Sequence, residues 1–157
     1  MLILIGILGS CNKPEKSVNV IDDLFDAEQA QIRNLIHEIF ETAKAKDMDN
    51  LDSYHLKGPK FSKFDDGDIP QRQDYEMAKK SEEDFFTNIT EFAYKLPDIK
   101  VDVFDDMAIA TFILDYSVIM EGETFNGNSR STLVFVQDEG QWKIIHEHFS
   151  PLIQTSQ

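Results

Sequence analysis

A chain of 157 residues, 41% hydrophobic and 28% charged, carries enough apolar material for one packed core, which excludes an intrinsically disordered chain. Its formal net charge of -14 opposes phosphate backbones and anionic headgroups, which excludes nucleic acid as a partner. The single cysteine excludes an internal disulfide.

The chain opens on Leu2-Ile3-Leu4-Ile5-Gly6-Ile7-Leu8, an apolar run of signal-peptide length and too short to span a bilayer. Small residues Gly9 and Ser10 precede Cys11, after which the composition turns polar at Asn12-Lys13-Pro14-Glu15-Lys16. Leu8-Gly9-Ser10-Cys11 resembles the bacterial lipobox, in which the cysteine thiol is acylated and the leader is removed in front of it. That resemblance implies a signal peptide over residues 1–10 and a lipidated cysteine with its tether over 11–20. A folded domain then occupies 21–153, held in the cell envelope at the outer membrane or the periplasmic face.

Beyond the tether, Ile32, Leu35, Ile36, Ile39, Phe40 and Ala43 form an apolar stripe at helical spacing. Asp22, Asp23 and Asp26 lie near the start of this predicted helix and Lys44 and Lys46 near its end, where the helix dipole favours each sign. Asp47-Met48-Asp49 breaks it and starts a short second helix ending near Tyr54-His55. Gly58-Pro59 predicts a turn, Phe61-Ser62-Lys63-Phe64 a short strand, Asp65-Asp66-Gly67-Asp68 an exposed turn, and residues 75–89 a further helix. After Pro97 the pattern is that of strands: 99–104, a long one over 107–121, 131–137 and 141–149. Turns are expected at Asp105-Asp106, at Glu121-Gly122-Glu123, at Asn126-Gly127-Asn128 and at Asp138-Glu139-Gly140. Helices first and antiparallel strands afterwards predict an α+β fold, a bent sheet wrapped over the long helix as a cone with an apolar mouth.

Thr132-Leu133-Val134-Phe135-Val136, followed by Gly140-Gln141-Trp142-Lys143-Ile144-Ile145-His146-Glu147-His148-Phe149-Ser150, resembles the closing hairpin of SnoaL-like domains in the nuclear transport factor 2-like superfamily. The opening helix, with Asp47-Met48-Asp49 and Tyr54-His55 after it, is similar to the N-terminal half of that family. The resemblance implies a pocket between helices and sheet, often in a homodimer. Reaction type does not follow, because one fold hosts isomerases, dehydratases, hydrolases and binding modules.

The chemistry-bearing candidates are few. His146 and His148 share one strand face and are candidate acid–base groups near neutral pH, with Tyr54 as a third. Strand parity groups Trp142 and Ile144 with the histidines and sets Glu147 and Phe149 opposite, although a β-bulge would exchange the two sets. The expected pocket lining is Tyr54, Phe64, Tyr116, Arg130, Leu133, Glu147 and Phe149. In the related kinase association domains arginines enter the pocket; here Leu133 and Phe149 hold the matching positions, and Arg130 is the nearest substitute. The two histidines lack further ligands at metal-binding spacing, and Asp65-Asp66-Gly67-Asp68 lacks the ligand pattern of a calcium loop. No nucleophile elbow, phosphate-cradling loop or dinucleotide fingerprint occurs. The reading therefore assigns no metal and no cofactor. It favours an exported domain that binds a small apolar ligand, ahead of an acid–base enzyme of the same fold and a homodimeric interaction module.

Overall fold

The stripe anticipated on the first helix is the face that seeds the core: Ile32, Ile36, Ile39, Phe40 and Ala43 are all buried along α1 (Asp26–Ala45). The computed structural model describes residues 19–65 and 70–152. The leader, Cys11, the tether as far as residue 18, the turn residues Asp66, Gly67 and Asp68, and position 153 lie outside the described residues. The Asp47 side chain accepts from the Asn50 N–H and starts α2 (Met48–Ser53). Likewise Asp74 accepts from Met77 N at 3.0 Å and starts α3 (Tyr75–Asn88).

Six strands follow or interleave: β1 (Ser62–Phe64), β2 (Ile89–Lys95), β3 (Ile99–Phe104), β4 (Met107–Met120), β5 (Glu123–Asp138) and β6 (Gln141–Pro151). They build one curved, unclosed sheet in the order β1-β6-β5-β4-β2, with β3 also paired to β4. The long strand β4 carries β3 against residues 107–112 and β2 against residues 115–120, while β5 runs along its other edge. All pairings are antiparallel except that of β1 with β6. The concave face, with Ala108, Ala110, Phe112, Leu133 and Phe135, closes over α1, so the expected α+β cone is the observed fold.

Two elements differ from the expectation. Residues 90–95 carry no structure by pattern alone and Ile89 is expected in the helix, yet 89–95 form β2, which follows α3 without a loop and pairs with the distal half of β4. Asn126-Gly127-Asn128, expected as a turn, lies inside β5 opposite Ser117, Tyr116 and Asp115. Gly127 is there because a Cβ would overlap the Tyr116 ring, so the glycine permits a close approach instead of a reversal. Among the described residues no helix is long and apolar enough to cross a membrane.

Candidate functional site

The cone encloses a cavity of about 370 Å³ between α1, α3 and the concave sheet face. Most of its wall is apolar and aromatic: Ile39, Phe40, Ala43, Leu51, Phe85, Phe86, Phe92, Leu114, Tyr116 and Phe149. One side is different. His55, Lys63, Asp65, Ser81, Glu82 and Glu147 converge there from the segment after α2, from β1 and its following loop, from α3 and from β6.

A β-bulge puts Glu147 inside. The β5–β6 register passes from Phe135↔Ile144 to Val134↔His146, which leaves Ile145 as an extra residue. Parity therefore flips along β6: Trp142 and Ile144 are buried before the bulge, and Glu147 is buried after it. Glu147 and Phe149 reach the cavity, whereas His146 and His148 face outward. There His146 Nδ1 is 2.9 Å from Ser62 Oγ, and both imidazoles lie beside the exposed Phe64 ring. Parity acts at β1 too: Lys63 and, just before the strand, Phe61 are buried, and Phe64 is exposed.

Lys63 is the hub of the polar wall. Its Nζ lies 2.6 Å from Glu82 Oε1, 3.1 Å from Glu147 Oε2 and 3.7 Å from Asp65 Oδ2, and 5.4 Å from the centre of the Phe149 ring. His55 Nε2 stands 3.2 Å from Glu147 Oε1 and 3.9 Å from Glu82 Oε1. An ionised carboxylate only accepts, so Nε2 carries the proton of the His55–Glu147 bond. Glu147 Oε2, fully buried, has the charge of Lys63 nearby but no directed hydrogen bond.

Titration follows from these contacts. Burial favours the neutral form of His55, but the Glu147 and Glu82 carboxylates outweigh it and raise the imidazole above its ordinary 6.5. Burial would likewise discharge Lys63, yet Glu147, Glu82 and Asp65 hold its ammonium well above the usual lysine range. Glu147 is opposed by burial and held far below the usual carboxylate range by Lys63 and His55. The wall thus contains a fixed ammonium, a fixed carboxylate and an imidazole that holds its proton to higher pH than a free one. His55 Nε2 and carboxylate oxygens of Glu82 and Glu147 lie within 4.8 Å of one another, a spacing that suits a metal ion. Lys63 already places a cation against both carboxylates, and a divalent ion there would meet it.

Of the residues expected in the pocket, Tyr116, Glu147 and Phe149 are brought together on its wall. Leu133 pairs with Glu147 across the β5–β6 ladder but is sealed in the core. Tyr54 sits outside the lining, half-buried, with its hydroxyl 3.3 Å from Thr42 Oγ1. Arg130 is exposed on the outer sheet face because its neighbours Ser129 and Ser131 take the inward positions. Phe64, His146 and His148 share that outer face. His55, Lys63, Asp65 and Glu82 are absent from the expected lining, His55 entering only through the family resemblance and Asp65 only as a turn residue. The one usable signal was Lys63, a charge at the same parity as Phe61 in a short strand.

Residues 32–154 match the family model of the SnoaL-like domain. The chain belongs to the SnoaL-like domain family. No curated protein matches this SnoaL-like chain in sequence. Among solved structures, a candidate dehydratase of the nuclear transport factor 2-like family from Streptomyces avermitilis is similar at 20% identity and a TM-score of 0.74, covering 82% of this chain and 99% of that one. A candidate scytalone dehydratase from Novosphingobium aromaticivorans has 13% identity and a TM-score of 0.68, with 81% and 85% of the two chains covered. A candidate calcium/calmodulin-dependent protein kinase II association domain from Xanthomonas campestris has 16% identity and a TM-score of 0.69 over 80% and 88%. At these identities the likeness is one of fold.

Proposed function

We propose that this SnoaL-like domain binds a small, predominantly apolar molecule in its cone, with the Lys63–Glu147–His55–Glu82 wall meeting the polar end of that molecule. The observation that carries this reading is the cavity itself, about 370 Å³ of largely aromatic and aliphatic wall with one buried ionic side. The domain does so outside the cytoplasm, held at a bacterial membrane by a lipid on Cys11; the pattern Leu8-Gly9-Ser10-Cys11 supports this part. Native mass spectrometry of the full chain, purified without denaturant, tests the binding. An added mass released on denaturation is the expected result, and a clean spectrum together with no uptake of small apolar probes would overturn it. For the anchor, Cys11→Ala is expected to move the chain from the membrane pellet to the soluble fraction.

A second reading is an acid–base enzyme of the dehydratase or isomerase kind, favoured by the His55–Glu147 hydrogen bond on the cavity wall and by the two candidate dehydratases among the structural relatives. Here the His55 imidazolium gives a proton to a departing or enolising oxygen and takes the carbon-bound proton in return, which regenerates it, and Glu147 holds the ring in place. Incubating a captured ligand with the protein in D₂O distinguishes the two readings. Deuterium incorporated at carbon, and lost in His55→Gln, is the enzyme's signature. Homodimerisation through the outer sheet face belongs to the same proposal: Phe64 and Ile109 are exposed there, and an association domain is among the relatives. Sedimentation velocity checks it.

A further inference from the structure

The width of the cavity depends on a residue outside its lining. On the concave face the β4–β5 ladder sets large side chains opposite small ones: Phe112 against Ser131, Leu114 against Ser129 and Tyr116 against Gly127. Leu114 and Tyr116 line the cavity. At the last pair the largest side chain meets none at all. A Cβ on residue 127 would overlap Tyr116 Cζ, Oη and Cε1, the far edge of the ring, so the ring leans across the strand and over the glycine. Backbone conformation makes no demand for glycine there, because Gly127 lacks the left-handed φ of Gly58, Gly122 and Gly140. The space over it is what the position supplies.

The opposite flank of the ring is occupied. Tyr94 of β2 pairs with Tyr116, its own ring 5.1 Å from that of Phe40 and 6.0 Å from that of Phe92, and its hydroxyl donates to Glu41 at 2.7 Å. A Tyr116 ring lifted off position 127 therefore meets a fixed neighbour on the β2 side and finds its room in the cavity.

Resting on the ligand-binding reading above, we propose that Gly127 sets the widest body the cavity accepts. It lets the Tyr116 ring lean away from the lumen, and a side chain in its place turns that ring inward. The selection is by size: it acts on the apolar body of a ligand and leaves the polar end to the ionic wall. Gly127 acts through Tyr116, so it is a positioning residue, and its signature is a change in the size profile of binding.

Equilibrium dialysis of the full chain against benzyl alcohol, 1-naphthalenemethanol and 9-anthracenemethanol, one head on one, two and three fused rings, tests this. Gly127→Ala is expected to keep the one-ring probe and to lose about tenfold on the three-ring probe, the scale of an overpacked contact. Adding Tyr116→Leu to Gly127→Ala is expected to restore the three-ring probe, a rescue that a merely structural role for the glycine would not give. Because Gly127→Ala can disturb the strand, Tyr116→Leu in the parent chain stands as the independent check and is expected to shift preference toward the three-ring probe. Equal losses on all three probes in Gly127→Ala, or none, would overturn the role given to Gly127 and leave the ligand-binding reading standing. Failure of the parent to take up any of the three would sink both.

Discussion

Two ionic clusters stand back to back in this molecule and are built from the same elements. Asp52 and His55 lie three apart at the end of α2 and just beyond it, while Tyr75, Lys79 and Glu82 lie four and three apart along one face of α3. In the outer cluster the Tyr75 hydroxyl donates to Asp52 Oδ1 at 2.5 Å, and Lys57 and Lys79 approach Asp52 Oδ2 at 2.8 and 3.5 Å. In the inner cluster Lys63 ties Glu82 and Glu147 together, with His55 closing the ring. The Phe61 ring separates them, 5.3 Å from His55 and 6.2 Å from Tyr75. Water makes the difference. The Lys57 and Lys79 side chains are 63% and 37% exposed, against 6% for Lys63. An exposed network can lose a member and let solvent replace it; a buried one cannot.

The largest expected effect follows from that contrast. Lys63→Met leaves Glu82 and Glu147 facing each other without their cation and is expected to cost about 3–5 kcal/mol of stability, measured by urea unfolding. Replacing both partners, as in the double variant Lys63→Met with Glu147→Leu, is expected to recover a substantial part, because no orphaned charge is then left between those positions. A single variant that unfolds at the same urea concentration as the parent would mean that the inner cluster is as wet as the outer one.

Next comes pH. His55 is raised above its ordinary 6.5 in the folded chain, so its contribution is fully present below that value and is lost as pH rises through the folded pKa. Glu147 is shifted the opposite way; its contribution is present above the ordinary 4.5 and is lost as pH falls through the folded pKa. Urea midpoints are therefore expected to peak in mildly acidic solution, between the ordinary values of 4.5 and 6.5, and to decline on both sides. His55→Gln is expected to remove the decline on the alkaline side and keep the acid one. An unchanged alkaline limb in His55→Gln would assign it to another group.

On the outer side the expected effects are smaller. Tyr75→Phe removes one hydrogen bond to Asp52, whose carboxyl is held below its ordinary range by Lys57 and Tyr75 against the opposing pull of burial. Because Lys57 and Lys79 still hold Asp52 when the hydroxyl is gone, the expected loss is about 1 kcal/mol, visible as a modest shift in the urea midpoint. A loss as large as that of Lys63→Met would erase the distinction between the two clusters.

How much of this was legible in the sequence depends on the range of the interaction involved. The stripe on α1 and the closing hairpin are local patterns, and the α+β cone followed from them. β2 was not legible because Thr90, Glu91 and Lys95 interrupt any apolar alternation, and its pairing with β4 spans a long stretch of chain. Gly127 read as a turn residue because the Tyr116 ring that requires it is on a neighbouring strand. The ionic wall was hidden for the same reason: His55 and Glu147 are 92 positions apart and Lys63 and Glu82 are 19 apart. Glu147 is expected in the pocket from its strand, and Lys63 has a local mark, a charge at the parity of the buried Phe61; His55 and Glu82 have none.

The smallest expected effect concerns the residues that drew most attention in the sequence. His146 and His148 lie two apart near the end of β6, and parity alone would have placed them on the face of the buried Trp142 and Ile144. The extra residue at Ile145 turns them outward, beside Phe64, and gives their place in the interior to Glu147 and Phe149. His148→Ala removes an exposed side chain with no cavity contact, and its stability is expected to stay within about 0.5 kcal/mol of the parent. His146→Ala gives up one half-buried hydrogen bond with Ser62, a slightly larger change. Neither variant should alter ligand uptake, whereas His55→Gln, on the cavity wall, is expected to weaken it. If uptake instead follows His148, the bulge in β6 would have to be absent in solution, and Glu147 with its partners would lose their place on the cavity wall.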